Sequence, residues 1–113
     1  MTTQEGPQDL LELGRELLDE ARRNDAGRAA RTLTPGAGSP LKQTVLALTV
    51  GASLQDHAAP GAATIQILIG AARLTSEGVS TPLLAGEWAN IPDAVHGLEA
   101  TEDLAVLLTV ASV

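Results

Sequence analysis

The residues best suited to chemistry in this sequence are its two histidines, His57 and His96. Imidazole titrates near neutral pH and is a common metal ligand, so two histidines could exchange protons, hold a metal or orient a small ligand. The chain has no cysteine, which excludes thiolate catalysis, disulfides and cysteine-based metal sites. Asp56 and Glu99 have the opposite strand parity to the nearby histidines, so we expect them to point away from the histidines. No nucleophile or carboxylate therefore forms an obvious partnership with either histidine.

An amphipathic helix is predicted over residues 8–23, in front of the part that carries the histidines. Its apolar residues stand at positions 10, 11, 13, 17, 18 and 21 and cover one side, whereas the charged residues cover the other. Gly14 and Ala21 lie in the middle of the apolar side, where they allow close approach to another surface. That surface is either the protein's own barrel or a second subunit. We assign residues 1–27 to this helix and a linker.

From residue 28 onward, short apolar segments alternate with turn residues every 8–12 positions, a spacing typical of antiparallel β domains. Residues 28–113 are therefore predicted to form one mainly β domain. Residues 34–40 and 76–80 are expected to be loops. In segment 63–69, Ile65, Ile67 and Ile69 share one face. The predicted strands are 29–33, 41–50, 53–57, 63–69, 71–75, 82–85, 88–91, 95–100 and 104–111.

Two segments match known motifs in order. In 51–70, Gly51 is followed by five residues and His57, and Gly70 closes the segment after a strand. In 86–96, Gly86 is followed by five residues and Pro92, and a short turn leads to His96. This ordered pair resembles the two motifs of the cupin family, and the strands of 29–111 fit a small single-domain cupin with a conserved barrel.

The resemblance implies a double-stranded β-helix, the jelly-roll or cupin barrel, whose interior often holds a divalent metal on three histidines and one glutamate. His57 and His96 match the first histidine of motif one and the histidine of motif two. The second histidine of motif one falls on Ala59, and the glutamate falls on Ala62 or Ala63. The metal-ligand set is therefore incomplete.

Two functions follow from this reduced set. The first is binding of a small molecule in an aliphatic pocket lined by His57, His96, Ile65, Ile67 and Gln43, where the histidines orient the ligand. The alternative is a metal-dependent cupin enzyme of the oxygenase, isomerase or lyase type, with His57 and His96 as ligands of a weakly bound divalent transition metal. Two neutral imidazoles provide few ligands and no negative charge, which favours the first function. Whether the protein is an enzyme stays open.

The composition also bears on partners. The formal net charge of −7 repels phosphate backbones and anionic lipids, and a single aromatic residue leaves almost nothing for base stacking, so we expect no nucleic-acid partner. No stretch reaches the roughly 20 apolar residues of a membrane helix, and the polar N-terminus does not look like a signal peptide. We expect a cytoplasmic protein that does not bind membranes and, by resemblance to small cupins, a homodimer.

Overall fold

The structure is a computed structural model that describes residues 6–36, 38–57, 62–92 and 94–111, with only the backbone of 55–57. The described residues form one helix, α1 (Leu10–Arg22), whose N-cap Asp9 accepts hydrogen bonds from the amides of Leu11 and Glu12. No helix among these residues has the length and apolar character needed to cross a membrane. The strands are β1 (Arg28–Thr32), β2 (Leu41–Leu48), β3 (Ser53–His57), β4 (Ala62–Ile69), β5 (Ala71–Ser76), β6 (Val79–Leu84), β7 (Trp88–Asn90), β8 (His96–Ala100) and β9 (Leu104–Ala111).

The strands form two antiparallel sheets. One has the order β1-β2-β9-β4-β7 and the other the order β3-β8-β5-β6. Most neighbours are distant in sequence: β2 pairs with β9, and β3 pairs with β8. This arrangement is the jelly roll that the strand spacing and the motifs predict, with the helix in front of it.

The two sheets enclose an aliphatic core. Along β2, Leu46 and Leu48 point inward, and along β9 Leu104 and Val106 do the same. Leu48 and Leu104 are completely buried. A core built from branched aliphatic residues follows from a sequence with a single aromatic side chain.

Helix α1 covers the outer face of the five-stranded sheet. Leu13, Leu17 and Ala21 pack against outward-facing residues of that sheet, among them Val45 and Ala47. The structure therefore selects the first of the two alternatives for the helix, in which it covers the protein's own barrel.

Gly14 permits this close packing. A methyl group added at Gly14 would lie 3.0 Å from Cβ of Ala105 and 3.2 Å from Cδ1 of Ile69. Both distances are shorter than an ordinary van der Waals contact between carbon atoms.

An irregularity in β4 changes which of its side chains face inward. The pairing of β4 with β9 shifts between Ile67 and Ile69, as a β-bulge does. Ile65 and Ile67 point into the core, as predicted, whereas Leu68 and Ile69 pack against the helix side of the sheet. The prediction that Ile69 shares one face with Ile65 and Ile67 was wrong, because the extra residue of the bulge reverses the alternation.

The predicted loop at 76–80 is instead a tight hairpin turn. Ser76 already pairs with Val79, so that only Glu77 and Gly78 connect β5 to β6. Both have positive φ, 53° and 79°, as the two central residues of a type I′ turn require. Strand β6 therefore begins at Val79, three residues before the predicted start.

Candidate functional site

The fold brings the two histidine positions together. His57 ends β3, His96 begins β8, and the two are directly opposite each other in the register of these antiparallel strands. The backbones of the two motifs therefore meet at these positions. The side chain of His57 lies outside the described part of the structure.

His96 is the one polar side chain that is buried among the described residues, with 5% of its surface exposed. It lies on the same face of β8 as Leu98 and Ala100, both members of the aliphatic core, and therefore faces into the barrel. Its Nδ1 lies 2.9 Å from the carbonyl oxygen of Ala94. Because a carbonyl only accepts, Nδ1 carries the proton in this hydrogen bond, which fixes the orientation of the ring.

Ser76 is a third polar residue at this place. It stands opposite His96 in the pairing of β5 with β8, so the two residues share the inward face. Its hydroxyl donates a hydrogen bond of 2.9 Å to the carbonyl oxygen of Val95. No sequence pattern indicates this position for Ser76, because a serine beside Glu-Gly is most simply a turn residue.

The two isoleucines of the predicted pocket, Ile65 and Ile67, belong to the aliphatic core between the sheets. Ile65 pairs with Leu108 of β9 and Ala89 of β7, and all three belong to the core or pack against it. Ile65 and Ile67 are each 1% exposed. Both side chains therefore face the barrel interior, toward which His96 also points.

Gln43 is not part of this lining. It lies on the same face of β2 as Val45 and Ala47, which pack under the helix. Its Nε2 donates a hydrogen bond of 3.3 Å to Oγ1 of Thr109 on β9. The structure therefore places Gln43 on the outer face of the sheet and not with the residues around His96.

Glu99 is also on an outer face, as expected. It pairs with Arg73 on the outer side of the four-stranded sheet, where the Glu99 Oε1 to Arg73 Nη1 distance is 2.9 Å. Both side chains are 48% exposed. Glu99 therefore contributes no carboxylate to the interior.

The residues present do not fit the metal centre that the fold family often holds. Of the two positions proposed for the glutamate, Ala63 is buried and faces inward, and Ala62 is exposed on the other side of β4. A methyl group at either position donates no electron pair to a metal. Among the described residues, no group of three or more histidine, aspartate or glutamate side chains could hold a metal ion. Two imidazoles alone offer fewer ligands than transition-metal sites in proteins use.

Known structures provide an independent comparison. The chain is similar to a conserved protein of unknown function from Streptococcus pyogenes, with 26% identity, a TM-score of 0.78, and coverage of 99% of this chain and 91% of the other. A cupin superfamily protein from Desulfitobacterium hafniense has 16% identity and a TM-score of 0.79 over 98% and 94% of the two chains.

A cupin 2 conserved barrel domain protein from Salinispora arenicola has 21% identity and a TM-score of 0.66 over 96% and 88% of the two chains. No protein-family model and no curated protein matches the chain. The similarity lies in three-dimensional structure and extends over nearly the whole chain, including the N-terminal helix. The chain therefore has the fold of a small cupin of the conserved-barrel type.

Proposed function

We propose that this protein binds a small apolar or amphipathic molecule at the end of the barrel that contains His96. A pocket of this kind combines an aliphatic lining with a few polar groups that orient the ligand. Ile65, Ile67 and Leu108 supply the aliphatic part, and His96 and Ser76 supply the polar part.

The burial of His96 is the observation that carries this proposal. Removing an imidazole from water costs free energy that its hydrogen bonds must offset, and Nδ1 of His96 donates one of these to the carbonyl of Ala94. A leucine or valine at this position would fill the barrel without that cost. Because the ring is held in one orientation beside Ser76, the two residues can present polar atoms to a bound molecule in a defined direction.

A metal-dependent enzyme is the second candidate. The register between His57 and His96 supports it, since two imidazoles on neighbouring strands could bind one ion. The alanines at the other two ligand positions oppose it. Metal analysis of protein purified without chelators or a histidine tag separates the two candidates. The small-molecule proposal predicts well under one transition-metal ion per chain, and a stoichiometric metal that His96→Ala abolishes would contradict it.

Binding itself can be tested with 1-hexanol, a neutral molecule with an aliphatic body and one hydroxyl group. We expect saturable chemical-shift changes in the NMR spectrum of the protein at Ile65, Ile67 and the His96 ring. His96→Leu keeps the volume and removes the polar atoms, so it should weaken binding about fivefold or more, which corresponds to the loss of about one hydrogen bond.

Glu99→Gln is the matched control, because Glu99 is on the same strand but on the outer face. This variant should bind 1-hexanol like the unchanged protein. The proposal fails if the shift changes are spread over the surface, or if His96→Leu and Glu99→Gln bind the probe equally well.

A further inference from the structure

A cavity lies on the inward-facing side of β1 and β2. It has a volume of about 360 Å³ and is lined by Thr32, Thr34, Gly36, Lys42 and Thr44. Thr32 and Thr44 face each other across the two strands. The lining therefore combines one ammonium group with three hydroxyl groups and contains no acidic residue.

The charge of this cavity contrasts with the rest of the chain. Lys42 is the only lysine in a sequence with a net charge of −7. In the part of the chain that the structure describes, the ion pairs all involve Arg22 or Arg73, so Lys42 has no carboxylate partner there. A cation that is not neutralised by the protein is available to an anionic ligand.

The threonine hydroxyl groups of the cavity can donate hydrogen bonds, as the Lys42 ammonium group can. Oγ1 of Thr34 accepts a hydrogen bond of 3.2 Å from the backbone amide of Gln43, which occupies one of its two lone pairs. The hydroxyl of Thr34 can donate its proton to a ligand at the same time. An ammonium and hydroxyl donors around one cavity suit the oxygen atoms of a carboxylate or a phosphate.

The position of the cavity relates it to the barrel interior. Lys42 and Thr44 alternate with Leu46 and Leu48 on the inward face of β2, so this face changes from polar to aliphatic along one strand. The start of β2 and the end of β9 pair with each other, and the start of β4 pairs with the same end of β9. Thr44 pairs with Leu108 of β9, which in turn pairs with Ile65 of β4, so the Lys42 cavity adjoins aliphatic residues of the proposed pocket.

We propose that the Lys42 cavity binds an oxyanion, either as a free ion or as the head group of the molecule whose aliphatic part enters the barrel. Binding of a head group rests on the proposed function, because it requires a molecule whose aliphatic part enters the barrel. Binding of a free ion does not depend on that function. An aliphatic carboxylate would place its charge beside Lys42 and Thr44 and its hydrocarbon among Leu46, Ile65 and Leu108.

The test compares three probes, hexanoate, 1-hexanol and inorganic phosphate. Reductive methylation with ¹³C gives a single side-chain NMR signal for the protein, because Lys42 is the only lysine. We expect hexanoate to shift this signal and to bind at least about tenfold more tightly than 1-hexanol, the gain typical of a charge-assisted hydrogen bond. Lys42→Gln should abolish this advantage, and Thr44→Val should reduce it.

Arg31→Gln is the matched control. It removes one positive charge from β1 next to Thr32, but Arg31 pairs with Val45 and therefore lies on the outer face of the sheet. Hexanoate should bind this variant as it binds the unchanged protein. Equal loss of affinity in Arg31→Gln and Lys42→Gln would mean that only the overall charge matters, and would overturn the proposal.

The probes also separate this inference from the proposed function. If hexanoate and 1-hexanol bind equally well and Lys42→Gln affects neither, the oxyanion site is wrong and the barrel pocket stands. If phosphate alone binds and moves the Lys42 signal, the oxyanion site stands and takes free ions, whereas the barrel pocket fails. If none of the three probes binds, both are wrong.

Discussion

Gly14→Ala tests whether α1 is packed on its own barrel, because the sign of its effect depends on that packing. The added methyl group would lie 3.0 Å from Cβ of Ala105 and 3.2 Å from Cδ1 of Ile69. Ile69 can turn its side chain away. Ala105 cannot, since β9 is hydrogen-bonded to β2 on one side and to β4 on the other.

The magnitude combines two opposing effects on the free energy of unfolding. Alanine stabilises a helix by about 1 kcal/mol relative to glycine. Forcing a methyl group into a filled contact costs about 1–3 kcal/mol, because neighbouring atoms must move. We expect the contact to dominate and the variant to be destabilised by about 1 kcal/mol. A helix that does not pack here would be stabilised by about 1 kcal/mol instead.

Urea unfolding of the two proteins measures this difference as a change in midpoint at constant slope. Ala105→Gly provides the control, because it removes the methyl group that the new side chain meets. In the Ala105→Gly background, Gly14→Ala should lose the close contact and keep the helix gain, so it should stabilise by about 1 kcal/mol, and the coupling should be about 2 kcal/mol. Stabilisation by Gly14→Ala alone, or additivity of the two substitutions, would refute the packing of α1 described above.

Three further predictions concern stability. Gly70→Ala should cost roughly 2 kcal/mol or more in urea unfolding, since Gly70 has φ of 82° and an added Cβ would collide with the carbonyl of Asp103. Gly51→Ala is the control: Gly51 has φ of 89° but no atom near the added Cβ, so this substitution should cost only about 1 kcal/mol. Leu48→Ala should cost about 2–5 kcal/mol in the same assay, because the side chain is completely buried. The pKa of Asp103 is lowered by the backbone amide of Val50 and by the Arg22 guanidinium. The unchanged protein should therefore have a higher free energy of unfolding than Asp103→Asn above about pH 4, and this difference should shrink as the pH falls further. A difference that stays constant through that range would contradict this prediction.

Much of the fold could be predicted because most strands have alternating apolar and polar residues and are bounded by turn residues. The helix was confirmed as Leu10–Arg22 within the predicted 8–23, and β3 and β9 have the predicted limits. The turn at Glu77 and Gly78 was missed because glutamate seldom adopts positive φ, so the pair does not look like a type I′ turn in sequence. The bulge in β4 has no sequence signal at all.

The inward face of β2 could not be identified from the sequence. Residues 45–48 are all apolar, because one face lines the barrel and the other is covered by α1. The alternation that would separate the two faces is therefore absent, and Gln43 was assigned to the wrong side of the strand. For the same reason, the sequence does not show that Lys42 and Thr44 face inward.

The site was only partly predictable for a similar reason. The two histidines were found through motif spacing, and their backbone pairing follows from the cupin fold. The choice between Ala62 and Ala63 required the register of β4, which only the structure provides. Ser76 comes next to His96 through the pairing of β5 with β8, a contact between residues 20 positions apart that leaves no local pattern.

The most direct test of the central claim is a search for nuclear Overhauser effects between 1-hexanol and the protein. Binding inside the barrel predicts cross-peaks from the alkyl chain to the methyl groups of Ile65, Ile67 and Leu108, and from the carbinol protons to the His96 ring. Cross-peaks confined to exposed methyl groups, such as those of Val50 and Leu84, would contradict a binding site in the barrel.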